Sequence, residues 1–128
     1  MQGFEFSCPT KIVCGAHALD KLPDEVADRG MKHPLVMTDA GLVKLGVAAK
    51  LTGVLDAADV PYEVFDQVPP DSSMDVVNEV ARLYADRGCD GFVAIGGGSV
   101  IDTTKGAAAS LACEGVDFAT LQGSEILK

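Results

Sequence analysis

Gly91-Phe92-Val93-Ala94-Ile95-Gly96-Gly97-Gly98-Ser99-Val100-Ile101-Asp102-Thr103-Thr104-Lys105-Gly106 is the stretch that decides the fold. Phe92 to Ile95 is a short apolar run with β-branched members, flanked by Gly91 and Gly96. That pattern predicts a fully buried parallel strand. Three consecutive glycines follow, and Ser99 then opens a helical segment rich in small residues. Strand, glycine turn and helix in this order bring free backbone N–H groups and a helix dipole to one point, where an anion can bind.

Outward from this stretch the chain alternates. Pro34-Leu35-Val36-Met37-Thr38 reads as a buried strand, ended by Asp39-Ala40-Gly41. Val47, Leu51, Val54, Leu55 and Ala58 then share one helical face. Tyr62-Glu63-Val64-Phe65 predicts a further strand beyond Pro61. The loop Val68-Pro69-Pro70-Asp71-Ser72-Ser73 supplies serines to cap the next helix, and Ser72 with Asp75 fits a capping box. That helix buries Val76, Val77, Val80, Leu83 and Tyr84 and ends at Gly88. The order β-α-β-α-β-α predicts an α/β fold, a Rossmann-like doubly wound parallel sheet with right-handed crossovers.

At the N-terminal side, Phe4-Glu5-Phe6 and Lys11-Ile12-Val13-Cys14 predict a small pair of edge strands closed by Gly15. Leu19, Leu22 and Val26 predict a helix, with Pro23 at its first turn and its end near Gly30. From Val116 to Lys128 the pattern holds one helical turn at most, so the chain reads as cut where another strand is expected.

Composition narrows the function. The 128 residues form one domain, 1–128, and 48% of them are hydrophobic, enough for a packed core. A net charge of −9 argues against a nucleic-acid or anionic-membrane surface. It leaves open a phosphate held by backbone amides, which carry no formal charge. No run reaches the ~18 apolar residues of a membrane span, and Met1 to Glu5 lacks the features of a secretory leader. Cys8, Cys14, Cys89 and Cys113 fall at no metal-ligand spacing. Together these features predict a cytoplasmic protein whose thiols act as small buried hydrophobes.

The glycine loop lacks the Gly-Lys-Ser/Thr of a P-loop and the spacing of G-x-G-x-x-G. What remains is G-G-G-S-x-x-D-x-x-K on a strand-to-helix turn. Gly97 and Gly98, without Cβ atoms, let a pyrophosphate approach the backbone. A plainer reading stands beside this one. Glycines after a strand also serve merely to turn the chain, and Ser99 with Asp102 forms an S-x-x-D N-cap pair that needs no ligand.

Phe92 to Gly106 resembles the nucleotide-binding signature of the iron-containing (group III) alcohol dehydrogenases, and glycerol dehydrogenases and dehydroquinate synthases share a looser form. Further matches fall in order. Lys11-Ile12-Val13-Cys14-Gly15-Ala16 resembles K-I-x-F-G-x-G, Val36-Met37-Thr38-Asp39-Ala40-Gly41-Leu42 resembles V-T-D-x-G-L, and Val68-Pro69 follows. The resemblance implies that Gly96, Gly97, Gly98 and Ser99 form the pyrophosphate loop of a dinucleotide site. It places Asp102 near the nicotinamide-side ribose and Asp39 on the adenosine ribose. A carboxylate at a strand end favours a 2′-OH over a 2′-phosphate, so NAD is expected over NADP. Asp39 also fits a simple N-cap for the segment at Gly41. The chain departs from the family's V-x-P-N-P-T at Pro70-Asp71-Ser72, which removes the asparagine side chain and leaves a backbone contact at Pro70.

The resemblance further implies a homodimer, a small alcohol or aldehyde substrate, and iron or another divalent metal held by a helical C-terminal domain. That domain is absent from these residues; His17 and His33 stand sixteen apart with no ligand-spaced partner. Two functions of different class follow. One is the dinucleotide-binding portion of an NAD-linked, iron-dependent alcohol dehydrogenase, the 128 residues alone being inactive. The other is a non-catalytic nucleotide-binding or assembly module; a third possibility is a glycerol dehydrogenase or dehydroquinate synthase relative, which differs in substrate and metal.

Overall fold

A computed structural model describes Gly3 and residues 6–113. After a 3₁₀ turn at Ala18–Lys21 the order is α1 (Leu22–Asp28), β1 (Pro34–Met37), α2 (Ala40–Lys44), α3 (Val47–Ala57), β2 (Glu63–Phe65), α4 (Met74–Asp86), β3 (Gly91–Ala94) and α5 (Gly98–Ala112). The three strands form a parallel sheet in the order β2-β1-β3. This is the predicted α/β, Rossmann-like architecture, built on a small sheet.

Strand order explains the two faces. From β1 the chain crosses by α3 to β2 on one side. It then crosses by α4 over β1 to β3 on the other side. Crossovers of one hand that grow the sheet in opposite directions must leave their helices on opposite faces. Alternation along β1 matches this. Leu35 and Met37 pack with Phe65, Val77, Val80, Val100 and Ala107 beneath α4 and α5. Val36 points the other way, to Val26, Leu51, Leu55 and Val93 beneath α1 and α3. Val36 is also in register with Val64 and Val93 on the flanking strands.

The fully buried strand is therefore β1, in which every residue is buried. The glycine-loop strand β3 borders the three-stranded sheet instead, with Phe92 half-buried and Ala94 exposed. Its apolar composition hid this, because Phe92 gains cover from a stack on Tyr84 with centroids 4.7 Å apart, not from a second strand. Helix caps also differ in detail from expectation. Ser73, not Ser72, caps α4 by accepting from the Val76 amide. Gly88 follows α4 at φ +65, the left-handed position that ends a helix cheaply only with glycine. Pro23 sits in the first turn of α1, as read from sequence.

The N-terminal strand pair is not formed as predicted. Lys11 to Cys14 is irregular and exposed, and Phe6 is exposed as well; Phe4 and Glu5 lie outside the described residues. Among the described residues the run joins no ladder, and its Lys11 pairs with Glu25 on α1, which also accepts from Arg29 at 2.6 Å. Of the four thiols only Cys89 is buried, while Cys8 and Cys14 are exposed, so the expectation of buried cysteines fails for both. The helical turn expected within 116–128 lies outside the described residues.

Candidate functional site

The sheet reverses its direction of growth between β1 and β3, so the segments leaving these two strands diverge and open a crevice. Backbone bonds pin the mouth of that crevice. Ile95 N donates to Met37 O at 2.9 Å, Thr38 N to Phe65 O at 2.9 Å and Val68 N to Thr38 O at 3.4 Å. Beyond them lies a cleft of about 510 Å³ walled by Asp39–Gly41, Val68–Pro70 and Gly97–Val100. Asp39, Gly97, Gly98 and Ser99, predicted from separate parts of the sequence, thus meet around one cavity.

Gly97 is the N-cap of α5 and, as a glycine, offers no side-chain cap; the first turn holds no acidic residue. The first intrahelical bond is Ile101 N to Gly97 O, 3.1 Å. Helix geometry therefore leaves the Gly98, Ser99 and Val100 amides without intrahelical acceptors. The S-x-x-D cap pair of Ser99 and Asp102 does not form, since the helix begins one residue before Ser99.

Each glycine of the loop has its own physics. A Cβ at Gly96 would lie 2.5 Å from Val100 Cγ2 and 2.7 Å from its Cβ, so Gly96 permits close packing of helix on strand. At Gly97 and Gly98 a Cβ would meet nothing within 4 Å. Neither has positive φ; Gly97 stands at φ −84, ψ −164. Turning the chain does not require glycine at either place, and neither does packing within the described residues. What they leave is an empty cradle above uncapped amides.

Asp39 caps α2, its Oδ1 accepting from Leu42 N at 2.9 Å. The capping reading of the sequence is thus realised, and the same half-buried carboxylate borders the cleft. Gly96, predicted with the loop, does not line the cleft and packs instead against Val100. Asp102 does not border it: it is exposed on α5 beside a second groove, also of about 510 Å³, together with Ser72, Ser73 and Lys105.

Sequence reading missed the hydroxyl contacts between the proline loop and α5. Ser99 Oγ donates to the Pro70 carbonyl, the backbone group left open by the lost asparagine. Ser72 Oγ lies 3.2 Å from Ser99 O and 3.0 Å from Thr103 Oγ1. No local pattern announces a serine bonded to a helix 27 residues away. Buried Thr38, between the two strand ends, has a hydroxyl with no partner among the described residues. Also among the described residues, no three His, Cys, Asp or Glu side chains converge as a metal site, and no helix is long and apolar enough to cross a membrane.

Fold and cleft together define a Rossmann-like α/β domain whose glycine loop and strand-end carboxylate share one crevice. Residues 9–126 match the family model of iron-containing alcohol dehydrogenase, and the chain belongs to that family. It is 36% identical to the choline dehydrogenase of Bacillus subtilis over 131 aligned positions, covering all of this chain and 33% of that protein. It is 42% identical to the lactaldehyde reductase of Escherichia coli over 91 positions, 71% of this chain and 24% of that one. Among solved structures, the NADH-dependent butanol dehydrogenase A of Thermotoga maritima superposes with a TM-score of 0.83 at 28% identity, covering 92% of this chain and 30% of that chain. The chain thus spans about a quarter to a third of the length of these oxidoreductases.

Proposed function

We propose that this chain is the NAD-binding portion of an iron-dependent alcohol dehydrogenase that interconverts a small alcohol with its aldehyde or ketone. The observation that carries the reading is the pair Gly97 and Gly98: glycines without backbone or packing cause, over uncapped amides, in the crevice where doubly wound sheets bind ligands. The pyrophosphate would accept from the α5 amides. The Ser99 contribution is its amide, since its hydroxyl is engaged by Pro70. Asp39 would accept from the adenosine ribose while Oδ1 keeps its cap, favouring NAD over NADP. Asp102, one turn further along α5, stands on the side of the second groove and suits the nicotinamide-side ribose.

The bound dinucleotide supplies hydride chemistry. The described residues would bind and orient it; the chain spans about a quarter to a third of its relatives' length, and the 128 residues alone are proposed to be inactive. Names of the relatives span choline, lactaldehyde and butanol; the substrate class proposed here is accordingly a small alcohol or aldehyde. Homodimer formation and a cytoplasmic site belong to the same proposal, supported by Phe6 and Ile12 being 81% and 83% exposed and by free thiols. Titration of the chain with NADH and NADPH, followed by cofactor fluorescence, tests the core of it. NADH should saturate and bind at least about tenfold tighter than NADPH; no binding of either removes the reading. Elution mass at two concentrations tests the dimer.

A further inference from the structure

The loop from Asp66 to Ser73 joins β2 to α4 and forms one wall of the cleft through Val68, Pro69 and Pro70. Polar groups of α5 hold it from both sides of a short span: Ser99 Oγ on the Pro70 carbonyl, and Ser72 Oγ against Ser99 O and Thr103 Oγ1. Thr103 is fully buried. Its hydroxyl has Ser72 as its hydrogen-bond partner, so lifting the loop would leave a buried polar group unpaired. That is a larger penalty than losing an exposed hydrogen bond. Ser72 itself is exposed, which makes the contact a removable one at the surface end. The same contacts stand between the cleft bordered by Gly97 and the second groove bordered by Asp102.

We infer that Ser72 is a positioning residue: its hydroxyl straps the proline loop onto α5 and sets the cleft wall before a nucleotide arrives. This rests on the nucleotide-binding reading above. A wall fixed in advance spares the ligand the entropic cost of ordering the loop. The paired prolines Pro69 and Pro70, with fixed φ, keep the cleft wall stiff just ahead of the attachment points at the Pro70 carbonyl and Ser72.

The test uses the 128-residue chain as wild type, Ser72→Ala, Ser72→Thr and Thr103→Val, with NADH affinity by calorimetry and amide exchange at Val68 and at Asp71 to Met74. Ser72→Ala should speed exchange in that loop and weaken NADH by about three- to tenfold. Ser72→Thr should restore both. Thr103→Val, which keeps shape and loses the hydroxyl, should resemble Ser72→Ala, and the double variant should be no worse than either single one. Faster exchange with unchanged NADH affinity, or weaker binding that Ser72→Thr fails to rescue, overturns the strap. A wild-type chain that binds no NADH overturns the nucleotide reading itself and the strap with it; binding by wild type with equal binding by Ser72→Ala overturns the strap alone.

Discussion

Adding one methyl group at Gly98 separates a ligand-driven glycine from a structural one. In Gly98→Ala the new Cβ meets no heavy atom within 4 Å, and the residue already lies in the first turn of α5. The folded state therefore loses nothing. Alanine restricts the unfolded chain more than glycine does, which stabilises the protein by about 0.4–1 kcal/mol at a compatible position. The melting temperature should hold or rise by a few degrees. Binding should move the other way. A methyl over the amides keeps a diphosphate from closing on them, and each charge-assisted hydrogen bond lost costs about 1.5–3 kcal/mol. One such loss is a factor of roughly 10–150 in Kd.

Gly96→Ala is the control with opposite behaviour. Its Cβ would sit 2.5 Å from Val100 Cγ2, and Val100 is itself buried in the core beneath α5. Overpacking of this kind costs about 1–3 kcal/mol, so this variant should melt lower. Thermal unfolding by circular dichroism and NADH titration on the same samples read both axes. Two results refute the reasoning. Gly98→Ala that binds NADH like wild type shows that the diphosphate does not rest on these amides. Gly98→Ala that melts as low as Gly96→Ala shows a packing role that the geometry does not contain.

Other outcomes follow from the same geometry. Asp39→Gly should shift the NADPH-to-NADH affinity ratio upward by about tenfold or more, and it should cost about 1 kcal/mol or less of stability because glycine is an acceptable cap; an unchanged ratio in a competition titration rejects the ribose role. Thr38→Val should leave stability unchanged or raise it by about 1 kcal/mol, since the buried hydroxyl has no partner among the described residues, and a large fall in melting temperature would contradict this. Exposed Asp90 accepts from Lys32 N at 2.7 Å and His33 N at 2.8 Å, and although desolvation acts against its charged form, those amides hold its carboxyl below the usual range. A depressed folded value contributes stability that is present above the unfolded pKa of ~3.9 and is lost as pH falls through the folded one. Asp90→Asn should accordingly flatten the acid limb of a stability-against-pH curve below about pH 4, and a limb as steep as wild type counts against the assignment.

The fold was legible because the strands and the longer helices from Pro34 onward, α3, α4 and α5, each carry their own pattern, bounded by glycine, proline or a capping residue. What failed was whatever depends on a neighbour. Phe92 to Ile95 has the composition of a central strand, yet centrality is a property of pairing order, and the order β2-β1-β3 gives that place to Leu35, Val36 and Met37. Lys11 to Cys14 has strand-like residues but no ladder to join among the described residues, so it stays irregular and exposed. The short α2 escaped notice because five residues are too few to show a period, although Asp39, its cap, was singled out.

The site divides along the same line. Asp39 and the glycine triplet are 57 residues apart from Asp39 to Gly96, and only the doubly wound rule joins them, by setting the ends of β1 and β3 side by side. That rule acts on backbone and so was predictable. Side-chain partners were not: the sequence offers Ser99 equally to a cap, a phosphate or a carbonyl, and the choice depends on where Pro70 lies. With Gly97 rather than Ser99 as the cap of α5, the hydroxyl is released from capping and reaches the loop. The Gly98, Ser99 and Val100 amides, ahead of the first intrahelical bond from Ile101 N to Gly97 O, stay open for an anion. Moving the cap from Ser99 to Gly97 thus converts a self-satisfied turn into a receptive one, and the serine that seemed to compete with the ligand instead holds the wall beside it.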